Sequence, residues 1–277
     1  PYSIFYIGSK MKFNRRTFIK YASAGLLNGV WLNSGFAENQ LKIPDLAFVQ
    51  LTDTHISSSS GSMSTNIIVN MINKLRLPYD LVIHTGDIIH SRASEEEMKQ
   101  ASDFFKFRKK AYFVPGNHDI TFDRSEKYVK QFETHFNPVN YTIHPQPGIR
   151  FAFFNSQAIS DRAFKITRKL AFEALRQMLD KKEPTLLFCH APGLPDFYNN
   201  KIHIGWKDET MQKWTDIMKA GGVKAVLAGH FHRDEYHIVN DIPFYICAPV
   251  AGFWGRQASF RHWTMVDGQF TYRTIYI

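Results

Sequence analysis

Cysteine is scarce in this 277-residue chain: Cys189 and Cys247 are the whole supply. Two thiols permit at most one internal bridge and cannot furnish a zinc ribbon or an iron–sulfur ligand set, so any metal must rest on His, Asp and Asn. Long apolar runs are missing as well. The longest, from Tyr21 to Trp31, falls short of the roughly 20 residues needed to span a bilayer. No internal repeat is visible, and the Ser57–Ser64 stretch is the one low-complexity segment, read as a flexible loop rather than a domain boundary. Acidic residues are absent from positions 1–37, which hold Lys10, Lys12, Arg15, Arg16 and Lys20. That local absence explains much of the formal charge of +9: without those five, 29 basic residues face 25 acidic ones, a net +4. The case for a nucleic-acid partner weakens accordingly. What remains is a globular composition, 44% hydrophobic, 21% charged and 15% aromatic, long enough to bury a sizeable core.

The basic front segment has the three parts of a cleavable signal: Asn14-Arg15-Arg16-Thr17-Phe18-Ile19-Lys20, a modestly apolar stretch, and Gly35-Phe36-Ala37. Its arginine pair resembles the twin-arginine export signal. Residues 1–37 are thus expected to address the chain to the export machinery, with Met11 the start of an ordinary signal, and residues 38–277 to form one domain, periplasmic or secreted. Oligomeric state leaves no mark in the sequence.

From Leu46 onward, short apolar runs alternate with helical patterns. Leu46–Leu51 ends in Asp53-Thr54-His55, Leu81–His84 in Gly86-Asp87, and Tyr112–Val114 in Gly116-Asn117-His118-Asp119. Ile149–Phe154 and Thr185–Phe188 follow, the latter leading into Cys189-His190, and Val223–Leu227 ends in Gly229-His230-Phe231-His232. These read as buried strands, with helices over 94–109, 124–135, 167–179 and 208–220 and an antiparallel meander from about Glu235 to Ile277. Every polar cluster then falls at a strand C-terminal end, the edge of an open α/β sheet where ligands bind.

Asp-x-His, Gly-Asp, Gly-Asn-His-Asp, a lone His and Gly-His-x-His are each weak alone; five pieces at five strand ends are a strong signal. Carboxylate, imidazole and amide oxygen together suit divalent or trivalent cations. The array resembles the calcineurin-like metallophosphoesterase superfamily, and within it the cyclic-nucleotide and glycerophosphodiester phosphodiesterase branch, over nearly all of residues 46–232. The resemblance implies a four-layer αββα sandwich of two mixed sheets. It implies two metal ions, one held by Asp53, His55 and His232, the other by Asn117, His190 and His230, with Asp87 bridging. It also implies that His118 sits over the substrate as acid or charge stabiliser and that Asp119 orients it.

The chemistry agrees with that assignment. Asp87 has two carboxylate oxygens with which to hold cations about 3.5–4 Å apart, and such a pair supplies hydroxide near neutral pH for in-line attack at phosphorus. The expected activity is hydrolysis of small phosphate esters, diesters before monoesters, with a non-catalytic metal-containing binding protein and a nuclease as alternatives. Fe, Mn, Zn and Co all suit the ligands. His84, His90, His135, His144, His203, His237 and His262 lie in no motif and read as structural or surface residues. Phe197, Tyr198, His203 and Trp206 in the 191–206 loop, with Trp254 and Arg256, are candidates to line the site or, equally, to close the second sheet. Cys189 alternates away from His190 and should pack in the core, a bridge to Cys247 remaining open.

Overall fold

The computed structural model describes residues 45–120, 126–198 and 203–277. The export segment, 1–37, lies outside the described residues, as do the first residues of the helix expected over 124–135. No helix among the described residues is long and apolar enough to cross a membrane.

The chain alternates strand and helix at first: β1 (Leu46–Leu51), α1 (Ser59–Asn73), β2 (Leu81–His84), α2 (Glu95–Phe104), β3 (Ala111–Phe113) and α3 (Glu126–His135). It continues through β4 (Asn140–Gln146), β5 (Ile149–Phe154), a 3-10 turn at Ser156–Ile159, α4 (Lys165–Met178), β6 (Thr185–Phe188), α5 (Asp208–Ala220) and β7 (Val223–Ala228). Four more strands complete it: β8 (Glu235–Val239), β9 (Ile242–Ile246), β10 (Ser259–Val266) and β11 (Gln269–Tyr276). One sheet has the order β11-β10-β1-β2-β3 and the other β4-β5-β6-β7-β9-β8. Strands β1, β2 and β3 are parallel, as are β5, β6, β7 and β9, so the C-terminal ends of each set open onto one edge.

Period-2 alternation divides each strand between two apolar layers. In β1, Leu46 and Phe48 face the other sheet, where Phe48 meets Phe151 edge-on at 5.3 Å; within its own sheet Phe48 stacks with Trp263 of the neighbouring β10 at 5.8 Å. Ala47, Val49 and Leu51 face the opposite way, onto Ile68, Val69 and Ile72 of α1, Met98 and Ala101 of α2 and Phe132 of α3. On the far side of the second sheet, Ala171, Phe172 and Leu175 of α4 and Trp214, Ile217 and Met218 of α5 cover the outer face. The layers run helix, sheet, sheet, helix, the αββα sandwich expected.

Two expectations are corrected. The serine-rich 57–64 stretch is not all loop: Ser58 caps α1, its hydroxyl accepting the Gly61 N–H at 3.0 Å, and the apolar stripe further along anchors the helix to the sheet. The C-terminal meander is divided between sheets. β9 lies parallel to β7 in the second, whereas β10 inserts antiparallel beside β1 in the first, because its alternating Phe260 and Trp263 serve the outer and inter-sheet layers. Cys189 packs in the core behind β6, as its alternation predicts; it and Cys247 are buried free thiols, so the bridge left open is not formed.

Candidate metal centre

The seven expected ligands sit just past the C-terminal ends of β1, β2, β3, β6 and β7, where the parallel edges of the two sheets meet. Five of them have left-handed backbone: Asp53 (φ 51°), His55 (42°), Asp87 (52°), His230 (76°) and His232 (54°). Such residues cost about 1–3 kcal/mol each and persist only where the surroundings over-determine them. Main-chain hydrogen bonds do this between loops. The Asp53 N–H donates to the Gly86 carbonyl at 2.9 Å, the His55 N–H to that of Asp87 at 3.1 Å, and the Gly229 N–H to that of His190 at 3.1 Å. Gly116 and Gly229 permit the close approach: a Cβ on the first would collide with the Asp87 carboxylate, and on the second with the Thr52 hydroxyl.

The expected ligands converge in two groups, and His55 also meets His90 and His118 in a third. Asp53, His55, Asp87 and His232 form one, their candidate ligand atoms all within 4.8 Å of one another; Asp87, His190 and His230 form the other. Each carboxylate is half anchored. Asp53 Oδ2 accepts from the Thr52 hydroxyl at 2.7 Å and the His230 N–H at 3.0 Å, which leaves Oδ1 facing His232 Nε2 at 3.1 Å. Asp87 Oδ1 accepts the His118 N–H at 2.8 Å, and its Oδ2 lies 3.2 Å from His190 Nε2 and 3.8 Å from His55 Nε2. The two groups therefore share one carboxylate oxygen, where the sequence led us to expect one oxygen for each.

These residues fit a pair of cations. His55 Nε2 and His232 Nε2 stand 3.2 Å apart, and so do His190 Nε2 and His230 Nδ1, nitrogens whose lone pairs would converge on an ion. Asn117 Oδ1 is buried and accepts no hydrogen bond, and its residue lines the same cavity as Asp87 and His230. His190 Nδ1 donates to the Thr85 carbonyl at 2.8 Å, which fixes its tautomer and aims Nε2 inward. Electrostatics couple the ligands to one another. Burial is the largest influence on Asp53 and Asp87 and pushes both up, but His232 with His190 around Asp53, and His190 with His55 and His118 around Asp87, together outweigh it and hold both carboxyls below their usual range. Burial pulls His55 down to about 4, and for His190 the attraction of Asp87 and Asp53 overcomes burial and lifts it to about 9, so that without ions its Nε2 holds a proton toward Asp87 that a cation must displace.

His118 faces the cavity with its ring edge-on to His55, centroids 4.7 Å apart. The residue that orients it is a correction. Asp119 is fully buried, and its carboxylate accepts the N–H groups of Gly116 at 2.8 Å, Ile88 at 3.0 Å and Ile89 at 3.1 Å; it braces the β2 and β3 loops against each other. The His118 ring is held by the main-chain carbonyl of His90, 2.6 Å from Nδ1. A backbone acceptor leaves no residue-type signal, so His90 could not be found from its side chain.

His203, read as structural, lines the same cavity of about 350 Å³. Its Nδ1 lies 2.9 Å from the buried Asp196 carboxylate, and its ring centroid 5.0 Å from that of His230. Phe253 closes another wall, its ring centroid 5.0 Å from His55 and 5.8 Å from His232. Phe197, Tyr198 and Arg256 line a separate hollow of about 560 Å³ that reaches the centre only at His232, with Arg233 lying over the Tyr198 ring at 4.5 Å. The Trp254 side chain lies outside what is described.

The family model described as "Calcineurin-like phosphoesterase" matches residues 46–234. A 3′,5′-cyclic adenosine monophosphate phosphodiesterase of Vibrio vulnificus is 24% identical over 213 residues, 72% of this chain and 72% of that protein. A probable glycerophosphodiester phosphodiesterase of Arcobacter nitrofigilis is 28% identical over 216 residues, 70% and 74% of the two. Among solved structures, a dimetal phosphatase from Danio rerio superposes with a TM-score of 0.62 at 13% identity, covering 83% of this chain and 96% of that one, a likeness of fold. With the matched span running through every strand end that feeds the centre, the chain belongs to the calcineurin-like phosphoesterase family and is a phosphoric ester hydrolase.

Proposed function

We propose that the protein hydrolyses small phosphate diesters at two metal ions, one held by Asp53, His55 and His232, the other by Asn117, His190 and His230, with Asp87 common to both. The observation that carries this reading is Asp87 Oδ2, which lies within 4 Å of a histidine nitrogen from each group. When bound, such a pair neutralises charge on the phosphoryl oxygens and supplies a nucleophile at neutral pH. The chain does the rest. With Nδ1–H of His118 donated to the His90 carbonyl, Nε2 is the nitrogen left to meet substrate; in the imidazolium form it carries a second proton, which passes to the leaving oxygen and leaves the ring neutral. Asp53 and Asp87, each with one oxygen fixed by a backbone N–H, hold the ligand array before substrate arrives. Preference for diesters draws on the Vibrio and Arcobacter relatives, both named as phosphodiesterases.

The test compares bis(4-nitrophenyl) phosphate with 4-nitrophenyl phosphate as substrates of the purified protein, with elemental analysis of bound metal. Diester turnover should dominate with about two metals per chain, and Asp87→Ala should lose both metal and turnover. Preferred turnover of the monoester would replace the diesterase reading with a phosphatase one.

A further inference from the structure

Helix α4 is apolar on two faces. Ala171, Phe172 and Leu175 are buried against the second sheet, as the inner stripe of an amphipathic helix should be. Ile166 and Leu170, one turn apart on the outer face, are nevertheless 63% and 56% exposed, and Phe164 at the N-cap is 63% exposed. A single exposed apolar side chain needs no explanation. Three large ones within seven positions, rimmed by polar residues, mark a surface that meets something other than water.

The charge around them narrows what that is. Positions 162–177 hold Arg162, Lys165, Arg168, Lys169 and Arg176 against one carboxylate, Glu173. Arg168 pairs with Asp161 at 2.9 Å, whereas Lys165 and Lys169 make no ion pair among the described residues. Both lysines line a hollow of about 270 Å³ between α4 and α5, where Lys213 adds a third ammonium, 4.5 Å from the Phe172 ring centroid, and Glu209 the one carboxylate. A second copy of the chain suits this face poorly, because a two-fold contact would set lysine against lysine. Three side chains also fall short of the roughly 800 Å² per partner that a stable protein interface buries. A helix lying on a bilayer asks for much less: a few apolar side chains at the boundary of headgroups and acyl chains, with Lys and Arg beside them to attract anionic lipid. The position of the face agrees. Arg162, two residues before Phe164, also lines a hollow of about 420 Å³ that opens beside Asn117, His118 and His230, and Ile204, 66% exposed, lines it too. A surface seated on Phe164 lies next to an opening of the metal centre.

We propose that the outer face of α4, with Phe164, Ile166 and Leu170 as apolar contacts and Lys165 and Lys169 as cations, docks the protein on an anionic phospholipid surface. Binding is read without turnover, so its outcome is separate from that of the phosphodiesterase reading. The metal-loaded protein is sedimented with sucrose-loaded vesicles of phosphatidylcholine, alone or with about 30% phosphatidylglycerol. Affinity should be at least about 10-fold higher for the anionic vesicles and should fall as salt is added. Lys165→Glu with Lys169→Glu should weaken it by about 30-fold or more, and Ile166→Ser with Leu170→Ser by about 10-fold or more. Lys127→Glu with Lys130→Glu makes the same charge change at exposed positions of α3, in the opposite helical layer, and should alter affinity by less than about threefold. All three pairs are on the surface, so each variant should fold. Equal affinity for the two kinds of vesicle overturns the docking face, and so does an equal loss in the α3 pair, which would leave only the general attraction of a basic chain. Self-association in sedimentation velocity that disappears in Ile166→Ser with Leu170→Ser, without vesicle binding by the wild type, would overturn it in favour of a second copy.

Discussion

The metal centre and the hollow beside it adjoin at Asn117, His118 and His230 but are built on opposite plans. The centre is made at five strand ends, with carboxylates anchored at one oxygen by backbone N–H groups and ligand residues forced into left-handed backbone. Its geometry is stored in the sheet edges before any ion binds. The hollow is made by a 3-10 turn and the loop before α5. The ligand array is thus tied to the sheets, whereas the hollow is walled by connections that can vary without disturbing them.

The sharpest way to break this comparison is to separate a side chain from the backbone that holds it. His118→Gln keeps the main-chain N–H that anchors Asp87, so metal content should stay at the wild-type level while kcat falls by about 10²–10⁴, the usual worth of a positioned general acid. His90→Ala removes an exposed ring but keeps the carbonyl that holds His118, so kcat should change by less than about threefold. Steady-state kinetics with metal analysis reads both. A large loss of kcat in His90→Ala with unchanged metal content would mean that the ring, and not the carbonyl, does the positioning.

Asp119 gives the next largest effect, on stability. Its carboxyl is raised to about 6 by burial and by nearby Asp87, against three backbone N–H groups that pull it down. Asp119→Ala leaves those three donors buried without an acceptor and should lower unfolding free energy by about 3 kcal/mol or more, measured by denaturant titration of the metal-free protein. Unchanged stability with a reduced kcat would restore to Asp119 the orienting role that its contacts do not support.

How much of this was legible follows the same division. β1, β2, β5, β6 and α5 have the boundaries expected from their apolar runs, and all seven expected ligands lie around one centre, because a strand end that must place a ligand shows it as residue type and spacing. The exchange of β10 into the first sheet was hidden, since alternation tells which residues face inward but not which sheet they join. α1 was obscured by its serine-rich first turn, where tertiary packing further along overrides weak local propensity. Ile166 and Leu170 carry no motif at all; only exposure on the outer face of α4 distinguishes them from the apolar residues of its buried stripe.

His84 is the subtlest part of the stored geometry, and it too was left without a role. The Gly86 N–H donates to its Nδ1 at 3.1 Å, so the proton sits on Nε2 and is given to the Thr54 hydroxyl at 3.0 Å, which in turn donates to the Ile88 carbonyl at 2.8 Å. This chain ties β2 to the loops carrying His55 and Asp87, and it needs a neutral ring: a protonated Nδ1 could not accept from Gly86. Burial pulls His84 down to about 3, below the ordinary value of 6.5. The unfolded chain therefore takes up a proton that the folded one refuses, so this contribution is whole above pH 6.5 and drains away as pH falls from 6.5 toward 3. His84→Gln keeps an acceptor and a donor but does not titrate. Between pH 7 and pH 4.5 the metal-free wild type should lose about 2–3 kcal/mol more stability than this variant, at about 1.4 kcal/mol per pH unit. Parallel losses in the two proteins would mean that His84 is protonated in the fold, and that the scaffold under Asp87 is not set before the ions arrive.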